Sequence, residues 1–597
     1  MDAGRLDPVL MPVLANRFEA INREMTNTLL RSARSAVLNT ARDFSCSILT
    51  GKNELLAAAD GLPVHVFGSH LLGEAMCELH DDLRPGDAFL HNDPYLGNTH
   101  SADHTILVPV FVDGEHLFTT CAKAHQADIG NSEPTTYMFF ARDVYEEGAL
   151  NFPCVQIQRD YQDNEDLIRM CRKRIRVPDQ WYGDYLAAVG SARIGERRLI
   201  ELVERYGLET LEIFIAEWFD YSERRMAQAL RQLPSGRITG EGAHDPFPGL
   251  PDGIPIKVMI DIDAEEGRAE IDLRDNIDCV PVGLNQSRAC AMNNAMTGLF
   301  NCIDPDIPHN SGSFRRITVH LRENCVVGIP RFPASCSVAT TNVADRLINI
   351  SQRAFAQLGD GYGLAEGAIG QGPAAAVISG TDWRRGGAPY VNQLIVGGGG
   401  GGPGTPTTDG LASYGIPVVA GMMGSGGGSV EVNELKHPIH IRSSRPVPDS
   451  GGAGRFRGGL GHEVIYGPKR APLVAIYLID GNHYPPQGVR GGLPGQAARA
   501  LKIDREGNEV PLPNVSSEQL LPGEWLVGIG CGGGGYGDPL DRDPELVLDD
   551  VLERRVTREK AESIYGVVFT GRAADESLAV DEAATARLRA SVRSESP

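Results

Sequence analysis

Apolar positions near the start of the chain recur at helical spacing. Leu14, Phe18, Ile21, Met25 and Leu29 stand three or four apart between Pro8 and Leu38, which predicts a long helix with one buried face. Ala41 to Leu49 reads as a strand, with Asp43 where a half-buried carboxylate is costly unless paired. A helix is expected around Leu71 to Leu79, followed by the turn Arg84-Pro85-Gly86-Asp87. The apolar run Ile106 to Phe111 predicts a buried strand, Asp113-Gly114 a hairpin turn, and Leu117 to Ala122 the returning strand. Helical periodicity dominates Glu165 to Leu230, through Leu167, Ile168, Leu199, Val203, Phe214 and Trp218.

The pattern changes near Leu233-Pro234-Ser235-Gly236. Ile254 to Ile262, Arg268 to Leu273 and Ile317 to Leu321 read as strands, with helix-like stretches at Cys290 to Leu299 and Asp345 to Leu358. Short strands and glycine turns fill Val430 to Gly537, Asp543 to Gly566 is amphipathic and helical, and Arg572 to Pro597 is charged, Ala/Ser-rich and expected to end in disorder. The fold class is therefore multidomain α/β (mixed α+β). A helix-rich N-terminal domain (1–235) bears the candidate site, followed by a mixed middle domain (236–400), a glycine-rich β-dominated domain (401–540) and a C-terminal helical segment with a flexible tail (541–597).

Glycine is the unusual component, at 70 of 597 residues with 38 prolines. It clusters at Gly397 to Gly402, Gly424 to Gly428, Gly451 to Gly454, Gly458 to Gly461 and Gly532 to Gly535 without a fixed period, which excludes a repeat array or collagen. Such clusters mean either close-packed backbone or a backbone-lined binding site. The net charge of -22 argues against nucleic-acid or acidic-membrane partners. Apolar runs are too short for a membrane span, the N-terminus does not read as a signal peptide, and eleven singly scattered cysteines fit reduced thiols, so the expected location is the cytoplasm. There is no G-x-x-x-x-G-K-[ST] phosphate loop and no G-x-S-x-G elbow, so any nucleotide is expected to be held elsewhere.

The chemistry concentrates between His91 and Asn131, where His91, Asp93, His100, Asp103, His104, His125 and Asp128 crowd together. Imidazole with carboxylate suits a divalent zinc, manganese or iron ion, whereas calcium prefers oxygen cages. The alternative is a polar hydrogen-bond network. His100 and His104 have zincin spacing, but the Glu after the first His is missing and no helical pattern surrounds them. The basic run Arg172 to Arg176 reads as a solvated helix face or an anion contact.

The segment Asn92-Asp93-Pro94-Tyr95 through Gly97-Asn98-Thr99-His100-Ser101-Ala102-Asp103 resembles the NDPY-x-GGTHLPD signature of the hydantoinase B/5-oxoprolinase/acetone carboxylase family. Arg42-Asp43-Phe44-Ser45, Ile307 to Gly312, Asp449 to Gly459, Gly533 to Pro539 and Tyr565 to Val568 resemble the family in the same order. The chain departs from the signature at Asn98, at Ser101-Ala102 and at His104. The resemblance implies a metal held by Asp43, His100, Asp103 and His125; Asp93 and Asp128 would then either orient the imidazoles or cap surface turns. It also implies a hetero-oligomer in which a hydantoinase A-like ATPase subunit uses ATP and Mg to phosphorylate the substrate, a small cyclic amide or ketone. On this reading the chain is the B-type subunit of a cyclic amide hydrolase. The alternatives are the alpha-type subunit of an ATP-dependent ketone carboxylase and a non-catalytic, metal-stabilised scaffold.

Overall fold

The predicted N-terminal helix forms as α1 (Leu10–Ser32) and buries Leu14, Phe18, Ile21, Met25 and Leu29, the face marked by their spacing. This structure is a computed structural model that describes residues 6–58, 61–396, 399–412, 414, 428–573 and 577–595. Gly397, Gly398 and Gly424 to Gly427 of the glycine clusters lie outside the described residues.

The architecture is mixed α/β, and the chain divides into two compact units. The first comprises 1–242, 255–351 and 377–394, and the second 243–254, 352–376 and 395–597. A seven-stranded sheet organises the first unit. Its strands are β1 (Phe44–Thr50), β2 (Leu55–Ala58), β3 (Ala88–His91), β4 (Asp103–Val112), β5 (Glu115–His125), β6 (Val155–Arg159) and β7 (Gln162–Asp163), in the order β2-β1-β5-β4-β3-β6-β7. The β4–β5 hairpin turns through Asp113 and Gly114, both at positive φ (52° and 86°), the backbone of a tight two-residue hairpin and the reason for Asp-Gly there.

After α1 come the short helices α2 (Ala36–Asn39) and α3 (Pro63–Val66), then α4 (Ser69–Leu79), α5 (Val144–Glu147), α6 (Glu165–Arg174), α7 (Pro178–Tyr206), α8 (Leu208–Arg231) and α9 (Arg288–Phe300). Helices α1, α7 and α8 share one core with Ile106, Val108 and Val110 of β4 and Phe118, Ala122 and Ala124 of β5. Phe18 stacks on Phe214 at 5.5 Å and tilts against Phe118 at 5.9 Å. Side chains alternate along a strand, so the other face of β4 and β5 carries Asp103, Thr105, Lys123 and His125. A second sheet contains β8 (Gly236–His244), β9 (Ile254–Asp263), β10 (Arg268–Asp272) and β11 (Ile317–His320), with β10 and β11 parallel.

In the second unit, Ile439–Pro446, His462–Pro468, Trp525–Ile529, Arg499–Ile503 and Glu509–Leu512 form a sheet in that spatial order. Val430–Lys436, expected as strand, is a helix, initiated by the Ser429 hydroxyl accepting from the Val432 amide. Beside the sheet, glycine segments pack through their backbones. Gly459 donates to Gly402 O, Gly533 to Gly459 O, Gly452 to Gly533 O and Gly404 to Gly534 O, at 2.7–3.0 Å. A Cβ at Gly401 would lie 1.9 Å from Gly459 O, and one at Gly532 1.7 Å from Ser450 O. Among the described residues, these glycines are required by proximity rather than by turn geometry.

The expected C-terminal disorder is corrected over Glu582–Glu595, which form a helix. Its Thr585 is buried and its hydroxyl accepts from the Val568 amide, while Arg589 donates to Tyr565 O and Arg542 O. Composition hid these anchors because their partners lie 17 to 47 residues away.

Candidate metal centre

Three adjacent strand ends set out the site. Asp103 begins β4 and lies opposite His125, the last residue of β5. Asp43 precedes β1, and its carbonyl accepts the His125 amide at 3.1 Å. All three residues fall on the sheet face away from the α1/α7 core. His100 arrives from the preceding loop, which turns at Gly97 (φ 97°), where a Cβ would sit 2.5 Å from Leu71 Cβ. Asn98 fastens that loop by donating to His100 O and Asp103 O while accepting from Thr105 Oγ1, which gives this departure from the family signature a structural task.

One oxygen and two ring nitrogens converge. His100 Nε2 lies 3.0 Å from Asp103 Oδ1 and 3.2 Å from His125 Nδ1, and His125 Nδ1 lies 3.1 Å from the same oxygen. All three residues are buried. His100 Nδ1 is 2.8 Å from the Ser337 carbonyl, which can only accept, so that nitrogen carries the proton and Nε2 of a neutral ring is bare. His125 Nε2 meets Thr136 Oγ1 at 3.1 Å, and donation there leaves Nδ1 bare as well. Three lone-pair atoms facing one point need a cation. Either a proton supplies it or a metal ion does. Donors bound to a first-row divalent ion at ~2.0–2.2 Å stand roughly 3.0–3.5 Å apart, so the observed spacing and the N/O donor set fit such an ion.

The electrostatics agree. Burial works against a charged His100, but the Asp103 carboxylate beside it overcomes that and lifts its pKa above the ordinary histidine value. Burial would raise the Asp103 carboxyl, yet His100 and His65 hold it well below the usual carboxylate range.

The other residues singled out by sequence fall in different places. Asp43 lies at the rim, with Oδ2 4.0 Å from His125 Nδ1 and 16% side-chain exposure against 0–2% for the other members. Asp93 caps a turn by accepting the Tyr95 amide at 2.8 Å. Asp128 accepts from the Gly130 amide and pairs with Arg176 at 3.0 Å. His104, one residue after Asp103, faces the core. Trp181 Nε1–H donates to its Nδ1 at 3.3 Å, and burial pushes its pKa down to about 3. His91 lies between the Leu96 carbonyl and the Cys154 amide, a structural role.

Sequence reasoning missed His65 as a member of the cluster. Its Nε2 lies 3.1 Å from Asp103 Oδ2 and 3.7 Å from Asp43 Oδ1, while its Nδ1 meets Ser45 Oγ at 3.3 Å. Thr99 Oγ1 also donates to Asp103 Oδ2. The usable signal was its place among eight histidines in the first 125 residues. Helix α3 holds it there, and Pro63, Val66 and Phe67 line a cavity of about 750 Å³ together with Trp218 and His309.

The hydantoinase B/oxoprolinase model matches residues 7–539, nearly the whole chain. This chain belongs to that family. The beta subunit of caprolactamase from Pseudomonas jessenii is 30% identical, over 98% of this chain and 99% of its own length. The crystal structure of the ATP-dependent caprolactamase from that organism superposes with a TM-score of 0.85 and 28% identity, covering 98% of this chain and 100% of the other. The acetophenone carboxylase delta subunit of Aromatoleum aromaticum is 26% identical over 98% of this chain and 89% of its length. The family thus includes relatives named for lactam hydrolysis and for ketone carboxylation. Among the described residues no helix is long and apolar enough to cross a membrane.

Proposed function

We propose that the chain is the metal-binding B-type subunit of an ATP-dependent cyclic amide hydrolase. The observation that carries this reading is the convergence of His100 Nε2, His125 Nδ1 and Asp103 Oδ1 in a member of the hydantoinase B/oxoprolinase family that aligns end to end with a caprolactamase subunit. In it, His100, His125 and Asp103 hold one zinc, manganese or iron ion, with Asp43 as the fourth donor. When bound, such an ion is a Lewis acid that polarises a carbonyl and acidifies water.

The chain's own groups prepare that chemistry. The Ser337 carbonyl fixes the His100 tautomer, and His65 with Thr99 holds Asp103 Oδ2 so that Oδ1 faces the imidazoles. Asp43 is the most exposed member, so substrate approaches from its side. Activation by ATP belongs to a hydantoinase A-like ATPase partner, in keeping with the relatives named as subunits and with the missing phosphate loop. The carboxylase reading is the second, favoured by the likeness to the acetophenone carboxylase subunit.

Elemental analysis of wild type, His100→Ala and His125→Ala tests the centre. The expected result is near-stoichiometric zinc, manganese or iron in wild type and at least a tenfold lower content in each variant, with circular dichroism unchanged. A wild type that takes up none of the three ions overturns the reading and leaves the scaffold.

A further inference from the structure

Two segments outside any helix or strand, 136–138 and 335–337, meet over the two imidazoles. Each residue of the first makes a different contact. Thr136 Oγ1 meets His125 Nε2 at 3.1 Å, the Tyr137 ring stacks on both imidazoles, and the Met138 amide donates to Ser337 Oγ at 2.8 Å. The Tyr137 ring centroid lies 5.3 Å from that of His125 and 6.0 Å from that of His100, with the planes 26° and 28° apart. Ser337 closes the circuit. Its carbonyl accepts from His100 Nδ1 at 2.8 Å, and its hydroxyl donates to Thr136 O at 3.5 Å. Thr136, Tyr137 and Ser337 are all buried.

Irregular buried backbone keeps a fixed course only where its polar groups are tied down. Ser335 ties the second segment: its amide donates to Arg142 O at 3.2 Å and its hydroxyl to the Glu147 carboxylate. Thr135 ties the first: its Oγ1 accepts the Tyr137 amide at 3.1 Å and its carbonyl accepts from Asn131 Nδ2 at 2.6 Å. Gly283 seals the seam between them. It donates to Phe139 O at 2.9 Å and accepts the Val338 amide at 2.8 Å, and a Cβ there would lie 2.4 Å from Met138 O. The outer nitrogens of both imidazoles are therefore held by a single packed body.

Resting on the metal-centre reading, we propose that Ser337 Oγ and Tyr137 are positioning residues. They lock 136–138 to 335–337 as one clasp that sets both imidazoles together and covers their shared face, leaving the Asp43 side open. Two independent hydrogen bonds would behave differently, because loosening the seam of a clasp frees both rings at once.

The test follows solvent exchange of the outer imidazole protons, on His100 Nδ1 and His125 Nε2, in the full chain labelled with 15N in histidine and tryptophan. His100→Gln and His125→Gln assign the signals, and the Trp181 indole N–H, buried on α7 and bonded to His104, serves as the internal reference. Ser337→Ala keeps the carbonyl and removes the hydroxyl. It should quicken exchange at both rings by about tenfold or more relative to Trp181, although the lost hydroxyl is bonded to Met138 and Thr136 and not to an imidazole. Thr136→Val should quicken His125 alone, Tyr137→Leu both rings, and Tyr137→Phe, which keeps the stacked ring, neither. Zinc affinity by chelator competition should fall about 10–100-fold in Ser337→Ala and Tyr137→Leu and hold in Tyr137→Phe. A Ser337→Ala variant with wild-type exchange at His125 overturns the clasp. So does exchange that quickens equally at Trp181, which marks a purely structural role, or a Tyr137→Leu variant that matches wild type in both exchange and zinc affinity. A wild type that takes up no zinc strikes the metal reading alone, and the exchange comparison on the metal-free chain still decides the clasp.

Discussion

Asp103 and His104 are neighbours in sequence with opposite fates, because successive side chains of a strand point to opposite faces. Asp103 joins the centre, and His104 packs between Phe152 and Trp181. The convergence of His100, Asp103 and His125 was legible because one hairpin and the loop leading into it carry all three. His65 and the Ser337 carbonyl were not, since they reach the cluster from 38 residues before Asp103 and 237 after His100, through packing that no local pattern encodes. Glu147 was equally hidden. It accepts the Ser335 hydroxyl in a buried setting that pushes its pKa from 4.5 up to about 7. An acid raised on folding contributes stability that is complete below its unfolded value and is lost as pH climbs through the folded one. Glu147→Gln keeps the acceptor without the titration. Its free energy of unfolding, from urea denaturation, should match wild type near pH 4.5 and exceed it above pH 7, by on the order of 3 kcal/mol.

At the scale of elements, periodicity located the long helices and the β4–β5 hairpin because each depends on contacts within a few residues. It misread Val430–Lys436 and the C-terminal helix, where a cap and distant arginine contacts decide. The glycine segments were visible as composition, but their mutual packing was not, since glycine carries no side-chain pattern. Their geometry separates two kinds of substitution. Gly401→Ala sets a methyl 1.9 Å from a carbonyl oxygen and should destabilise the chain by more than about 4 kcal/mol, or prevent folding. Gly507→Ala meets open space at φ 90° and should cost about 1–2 kcal/mol of backbone strain. Urea denaturation of the pair reads the difference directly.

At the scale of the molecule, the change from helical to strand patterning near residue 236 made the mixed α/β class readable, while the substrate is decided at the site. On the proposed reading, the chain mixed with a hydantoinase A-like ATPase should open a cyclic amide with stoichiometric release of phosphate, and neither protein alone should do so. His100→Ala should abolish ring opening while leaving ATP binding by the partner unchanged, as measured by coupled phosphate release and nucleotide titration. The glycine bundle has a separate consequence for how this protein can change over time. Its neighbours meet backbone to backbone, so a methyl group added at Gly401 or Gly532 strikes a carbonyl that no replacement can shrink. Second-site suppression has nothing to act on, and lineages can leave those positions only by losing the bundle.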